Sequence, residues 1–229
     1  MNGISLPLTL ISGDETINRE VTVKQAVIAG WTGRDPDLVE KHIRELEELG
    51  VPRPPTTPVF YRVAARRLTI EPSIEVVGEH SGGEVEFILL KTGSRLWVGV
   101  GSDHTDRAAE TYNVTVSKQM CEKPLATVFW NFEDVAPHWD QLTLRSWVRE
   151  DDERKPYQDG NVTAMLAPPD LLRQYIKSGE LEEATLMFCG TLPATGGVSP
   201  TDSFEFELVD PVLERKISHQ YSTLRLPMY

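Results

Sequence analysis

Residues 82–107 read GGEVEFILLKTGSRLWVGVGSDHTDR, and the reading of this stretch decides the fold. It predicts a β-hairpin, with one strand over Glu84–Leu90, a turn over Lys91–Ser94 around Gly93, and a return strand over Arg95–Gly101. Side chains alternate along a strand, so Glu84 and Glu86 share a face with Ile88 and Leu90, while Val85, Phe87 and Leu89 line the other. Both faces are apolar, which makes this a central strand carrying two carboxylates into a buried layer. With the turn centred on Thr92–Gly93, Glu84 lies opposite Gly101, and Asp103 falls beside the same strand end. Gly99, Gly101 and Ser102 are small and leave room there. Unpaired carboxylates in an apolar layer are costly and call for a cation or a shared proton. Three oxygen ligands beside open space suit a hard, water-keeping ion, Mg²⁺ or Mn²⁺. The same residues also suit a half-exposed strand with solvated glutamates.

A second Glu-x-Glu stands at Phe204-Glu205-Phe206-Glu207-Leu208. There apolar and acidic residues alternate cleanly, which predicts an amphipathic strand with a wet acidic face and no site.

The chain has 229 residues, 40% of them hydrophobic, which suits one globular domain over residues 30–229 with a small β lobe over residues 1–29 packed on it. No apolar run approaches the roughly 18 residues of a membrane span, so no membrane partner is expected. The N-terminal MNGISLPLTL lacks the basic start of a signal peptide. Cys121 and Cys189 have no ligand spacing, and a cytoplasmic chain keeps them reduced. A net charge of −12 argues against a nucleic-acid partner, and it means that an anionic substrate needs local arginines and lysines.

Outward from the hairpin, Ile4–Ile11 and Glu20–Ala29 read as strands around a polar turn, SGDETINR. Asp35 and Pro36 start a helix as N-cap and first residue; Val39, Ile43, Leu46 and Leu49 form its apolar stripe and Gly50 ends it. His42 and Glu45 share one face of that helix, as a general base with its orienting carboxylate or as an ordinary surface pair. Val59–Ile70 is a strand and bend carrying Arg62, which either holds an anion or lies at the surface. Thr111–Ser117 alternates weakly as a strand leading to Lys118, within reach of the carboxylates. Leu142–Arg149 is a strand, Tyr157–Asn161 a turn, and Pro169–Lys177 a short helix. Ala184–Cys189 is a buried-type strand running into a loop, Gly190–Gly197, whose backbone N–H groups and hydroxyls can meet an anion. Phe204–Val209 and Glu214–Tyr221 close the chain as a hairpin.

Taken together and in order, these motifs resemble the fumarylacetoacetate hydrolase-like superfamily. Glu84-Val85-Glu86 looks like its strand Glu-x-Glu, and Asp103-His104-Thr105-Asp106-Arg107 like its Asp-x-(Thr/Ser)-Ala-Arg. Ser117-Lys118 through Cys121 looks like its Lys-Ser-Phe-Asp segment, and Gly190-Thr191-Leu192-Pro193 like its Gly-Thr-Pro loop interrupted by Leu192. His42-Ile43-Arg44-Glu45 resembles its His-x-x-Glu, and Phe60-Tyr61-Arg62 its Phe-x-Lys strand with arginine for lysine.

The resemblance implies an α+β, β-rich fold, a mixed β-roll with few short helices, commonly dimeric. It implies that Glu84, Glu86 and Asp103 bind Mg²⁺ or Mn²⁺, and that His42, oriented by Glu45, deprotonates a water. The hydroxide then attacks an acylpyruvate-like 1,3-dicarbonyl carboxylic acid, the C–C bond breaks, and Lys118 stabilises the enolate. Arg107, Thr191, Gly190 and Arg62 are the implied partners of the substrate carboxylate. The runners-up are a metal-dependent decarboxylase, hydratase or isomerase of a 2-oxo acid on the same site, and a non-enzymatic metabolite-binding protein.

Overall fold

The computed structural model describes residues 3–48, 53–150, 153–176, 179–196, 200 and 202–227, without the side chains of His42, Glu45, Leu46 and Glu150. Among the described residues two large sheets make up the fold, with two short two-stranded pairings beside them. The strands of the larger are β1 (Ile4–Ser12), β2 (Glu15–Val23), β3 (Gln25–Gly30) and β4 (Val59–Val63), followed by others further along the chain. After β5 (Ser73–Val77) come the central hairpin β6 (Val85–Thr92) and β7 (Arg95–Ser102), then β8 (Val128–Asn131). The remaining long strands are β9 (Thr143–Glu150), β10 (Glu153–Asn161), β11 (Thr185–Thr191), β12 (Ser203–Asp210) and β13 (Arg215–Leu226). The larger sheet runs β2-β1-β8-β7-β6-β11-β3-β4, and the five-stranded sheet β10-β9-β12-β13-β5.

The hairpin therefore sits in the middle of the eight-stranded sheet, which is why both of its faces are apolar. Val85, Phe87 and Leu89 pack against Leu144, Phe204, Phe206 and Leu208 of the second sheet. Ile88 and Leu90 lie in another cluster, which collects Leu6, Leu8 and Val21 from one end of the large sheet and Ala26, Ile28 and Val63 from the other. Strands from opposite ends share one core only because the sheet curls, and this is the α+β roll that the sequence predicts. Burying a Leu, Ile, Val or Phe side chain is worth about 1.5–3 kcal/mol, so each core draws on many such terms.

Several local expectations are corrected. The polar stretch after β1 is not a long turn: Gly13 and Asp14 alone make it, and Glu15–Val23 is an edge strand paired residue for residue with β1. Its outward polar residues read as a loop because they face water. Gln25–Gly30 is a separate strand that crosses to the far end of the sheet, parallel to β11. Thr111–Ser117 is not a strand; helices α1 (Pro36–Glu48), α2 (Arg107–Tyr112) and α3 (Val114–Met120) include it in the last two. Asp106 accepts a hydrogen bond from the Ala109 N–H and Asn113 one from the Val116 N–H, so two side-chain caps start two short helices where weak alternation suggested extension. Tyr157–Asn161 belongs to strand β10 rather than a turn. Asp35 caps α1 as expected, its carboxylate accepting from the Asp37 and Leu38 N–H groups. The expected helix residues Leu49 and Gly50 lie outside the described residues. Among the described residues no helix is long and apolar enough to cross a membrane.

Candidate active site

The turn at Gly93–Ser94 sets the geometry. Both residues adopt positive φ, +62° and +64°, and pair Thr92 with Arg95 in a two-residue hairpin. This centre lies one residue boundary later than Thr92–Gly93 predicts, so every partner moves by two. Glu86, not Glu84, faces Gly101, and the Asp103 N–H donates to the Glu84 carbonyl at 3.0 Å. A shift of two keeps each side chain on its face. The predicted trio therefore meets: carboxylate oxygens of Glu84, Glu86 and Asp103 lie within 4.8 Å of one another. The open space expected beside Gly99 and Gly101 is filled instead. A Cβ on Gly99 would stand 2.6 Å from the Phe129 ring, and one on Gly101 2.8 Å from Phe188. These glycines admit core aromatics, not a ligand.

Charge around the trio is uneven. Asp103 is fully buried and holds two ammonium groups, Lys118 on Oδ2 and Lys123 on Oδ1 at 3.1 Å. Lys118 comes from α3, which Gln119 ties down by accepting from the Ala64 N–H at 2.8 Å, and its ammonium also lies 5.8 Å from the Tyr61 ring centre. Glu84 meets Arg107 at 3.0 Å, and Arg107 also meets Glu110 at 2.9 Å. Arg107 keeps a buried Nε without a hydrogen-bond partner. Among the described residues Glu86 forms no ion pair; it accepts only the Gly190 N–H, at 2.7 Å.

The protonation states follow from these contacts. Burial raises the Glu86 carboxyl well above the usual carboxylate range, and the Asp103 charge beside it adds to the rise. Burial also raises Glu84, opposed by Arg107 and Lys118. Burial pushes Asp103 upward too, but the charges of Lys118 and Lys123 overcome it and hold the carboxyl well below its ordinary range. Burial pulls Lys118 down, and Asp103 and Glu84 more than reverse this. His104, buried with Nδ1 2.8 Å from the Tyr221 hydroxyl, is held at about 3 by burial and by Lys123 and Arg107. Three clustered oxygen donors, one of them a buried glutamate without its own cation, fit a hard divalent ion.

Gly190 and Thr191 lie beside the trio but are committed to supporting it. Gly190, at φ +98°, aims its N–H at Glu86, and a Cβ there would stand 1.8 Å from Thr32 Oγ1. The Thr191 hydroxyl donates to the Val85 carbonyl at 2.8 Å. Arg62 is exposed; Tyr61 beside it points at Lys118, so alternation turns Arg62 to the opposite face of β4, away from the cluster. His42 and Glu45 lie on α1, with side chains outside the described set.

Two residues at the site receive no role from a sequence reading, although Gln158-Asp159-Gly160 matches the Gln-x-Gly turn of the resembling superfamily. Gln158, in the segment read as a turn, accepts from the Val85 N–H and Ser146 Oγ and donates to Thr191 Oγ1 and the Leu192 carbonyl, clamping the start of β6 to the loop after β11. Lys123 gave a faint signal, a lone lysine opening the run Pro124–Phe129, where a buried charge is out of place.

Residues 29–221 match the family described as protein of unknown function (DUF2848). No curated protein matches the chain in sequence. In fold it is similar to the crystal structures of Cg1458, with a TM-score of 0.60 and 13% identity over 93% of this chain and 85% of that one. It is similar to 2-keto-3-deoxyarabinonate dehydratase, with a TM-score of 0.65 and 12% identity over 94% of this chain and 86% of that one. It is similar too to 2-keto-3-deoxy-D-arabinonate dehydratase complexed with magnesium and 2,5-dioxopentanoate, with a TM-score of 0.62 and 11% identity over 93% and 86% of the two chains. At these identities the likeness is one of fold. The chain has the fumarylacetoacetate hydrolase-like fold that its ordered motifs predict, and it belongs to the DUF2848 family.

Proposed function

We propose that this chain is a divalent-metal-dependent enzyme acting on a 2-oxo carboxylic acid. The observation that carries the reading is the trio of half-buried Glu84 with buried Glu86 and Asp103, in which Glu86 has no cation of its own. The three carboxylates would hold Mg²⁺ or Mn²⁺, which when bound supplies Lewis-acid activation of a carbonyl oxygen. The chain's own groups do the rest. Arg107, with its unpartnered buried Nε, has a donor to offer a substrate carboxylate while it keeps Glu84 in place. Lys118, held between Asp103 and the Tyr61 ring, donates a hydrogen bond to the oxygen on which negative charge develops. His42 takes a proton from water, with Glu45 three residues on along α1 orienting it. Gly190, Thr191 and Gln158 keep Glu86 and the start of β6 in register.

With that base in the chain, hydrolysis of a C–C bond in an acylpyruvate-like 1,3-dicarbonyl acid is the leading reaction. A lyase reaction of a 2-oxo acid is the second reading, favoured by the fold shared with a dehydratase complexed with magnesium and 2,5-dioxopentanoate. A cytoplasmic homodimer is the setting we assign to it. The test is to incubate acylpyruvates and 2-keto-3-deoxy sugar acids with Mg²⁺, Mn²⁺ or EDTA and separate the products. Metal-dependent formation of two carboxylic acids supports hydrolysis, and metal-dependent loss of water or carbon dioxide supports the lyase. Metal binding without turnover of either class points to a metabolite-binding protein. The absence of both turnover and any effect of metal on thermal stability overturns the proposal.

A further inference from the structure

We infer that Lys123 is a positioning residue that sets the charge of this site, so that the divalent ion binds weakly alone and strongly together with one substrate carboxylate. The inference rests on the metal site proposed above and assigns it a residue that the sequence motifs do not reach.

Lys123 is completely buried, and its ammonium donates to Asp103 Oδ1 and to the His104 carbonyl. Its backbone is fixed, because Lys123–Pro124 pairs in parallel with Leu68–Thr69. Asp103 already has Lys118 on its other oxygen. Both oxygens of one proposed metal ligand thus carry an ammonium before any ion arrives. One lysine is enough to balance one aspartate, and a neutral donor is enough for the His104 carbonyl. A second fully buried cation costs several kcal/mol in desolvation unless something else needs its charge.

The balance of the contacting groups shows what does. With every group ionised, as when an ion is held, Glu84, Glu86, Asp103 and Glu110 bring four formal negative charges to the cluster and Arg107, Lys118 and Lys123 bring three positive. A divalent ion brings this set to one positive charge, and a single carboxylate then neutralises it. Without Lys123 the set carries two negative charges, and the ion alone completes it. A buried site favours the neutral combination, because uncompensated charge in low dielectric is penalised. Lys123 thereby turns a site for a metal into a site for a metal plus a monocarboxylate, and couples the two ligands reciprocally.

The experiment measures Mn²⁺ binding to the full chain by electron paramagnetic resonance, with and without pyruvate as the monocarboxylate probe, in wild type, Lys123→Met and Lys123→Gln. In wild type, pyruvate is expected to raise Mn²⁺ affinity about tenfold or more. Lys123→Met is expected to bind Mn²⁺ about tenfold tighter without pyruvate, and pyruvate about tenfold weaker at saturating Mn²⁺. Lys123→Gln, which keeps a donor for the His104 carbonyl, follows the same pattern. A purely structural lysine would weaken both ligands together; the opposed signs are the mark of a charge-setting one. Variants that bind Mn²⁺ no tighter than wild type, with the pyruvate effect intact, overturn the inference while leaving the metal site standing. If both variants fail to fold, wild type decides: no enhancement by pyruvate overturns the inference, and enhancement supports it. Absence of Mn²⁺ binding in wild type under either condition removes the metal site itself.

Discussion

Replacing Glu86 by glutamine tests whether the central carboxylate is there for a metal or for the fold. The substitution keeps the side-chain volume, and the amide oxygen still accepts the Gly190 N–H that now reaches Oε2 at 2.7 Å. It removes a carboxylate that lies within 4.8 Å of Glu84 and Asp103 oxygens and has no ion pair among the described residues. In EDTA the loss of that uncompensated acid stabilises the fold, by about 1–3 kcal/mol. At about 2–4 °C per kcal/mol for a chain of this size, the apo variant melts about 2–12 °C above wild type. With metal the order reverses. An ion at a hundred times its Kd stabilises wild type by about 2.7 kcal/mol, or about 5–11 °C. The variant has lost a charged ligand and gains little. Thermal unfolding followed by fluorescence, in EDTA and in a Mg²⁺ series, reads both numbers. A variant less stable than wild type in EDTA whose melting temperature still rises with Mg²⁺ as wild type does would refute the reasoning, because Glu86 would then be a structural group and the ion would sit elsewhere.

Three further outcomes follow from single contacts. Gly190→Ala places a side chain at φ +98° with its Cβ 1.8 Å from Thr32 Oγ1, and strain and overpacking together are expected to lower stability by about 2–5 kcal/mol in urea unfolding. Adding Thr32→Ala should recover the clash but not the backbone strain, so full recovery would contradict this account. Gln158→Leu leaves the buried Val85 N–H and Leu192 carbonyl without partners and is expected to lower stability by about 2–4 kcal/mol, with weaker metal binding because the start of β6 is freed; unchanged stability would contradict it. His219 is kept neutral chiefly by burial, which lowers its pKa from the ordinary 6.5 against a smaller opposing hydrogen bond with the Glu71 backbone. The unfolded chain therefore takes up a proton at a higher pH than the folded one. Stability at this residue is full above about pH 6.5 and falls with decreasing pH until the folded group titrates, by up to about 1.4 kcal/mol per pH unit. His219→Phe should flatten that slope between pH 6.5 and 5, and an unchanged slope would assign it to other groups.

What was legible in the sequence was whatever a period of two carries. Glu84–Leu90 is apolar on both faces, and only a central strand explains that, so the hairpin, its burial and the meeting of three carboxylates could all be read from it. The exact centre of the turn could not, because Thr92, Gly93 and Ser94 all suit a turn and the choice among them is one of backbone φ. The shifted centre leaves the site intact, since moving every partner by two leaves each side chain on its face. The two helices α2 and α3 leave no such pattern in the sequence, for a different reason. Each has six or seven residues, too short for a helical stripe, and each is started by one capping side chain. Lys118 was nonetheless placed at the cluster, because the ordered motifs carried it there. Gln158 and Lys123 were not, since each acts through contacts with segments far along the chain, which no local pattern records.

The second Glu-x-Glu shows why the motif means little without its surroundings. Glu207 proves to be buried, not wet as its alternation predicts, because β12 lies between β9 and β13 and long side chains from both cover it. Lys216 lies 3.1 Å from it and Arg145 3.6 Å. Arg154 holds Glu205 by two hydrogen bonds of 2.8 Å. Each of these carboxylates has its own cations, so their charge is already spoken for. In the first motif the cations crowd onto Asp103 and Glu84 and leave Glu86 with a backbone N–H alone. Two strands of similar sequence thus differ not in how many acids they bury but in how the compensating charge is shared. It is the unequal sharing, with one acid left without a cation and another given two, that makes one strand a candidate for a metal and leaves the other a strand.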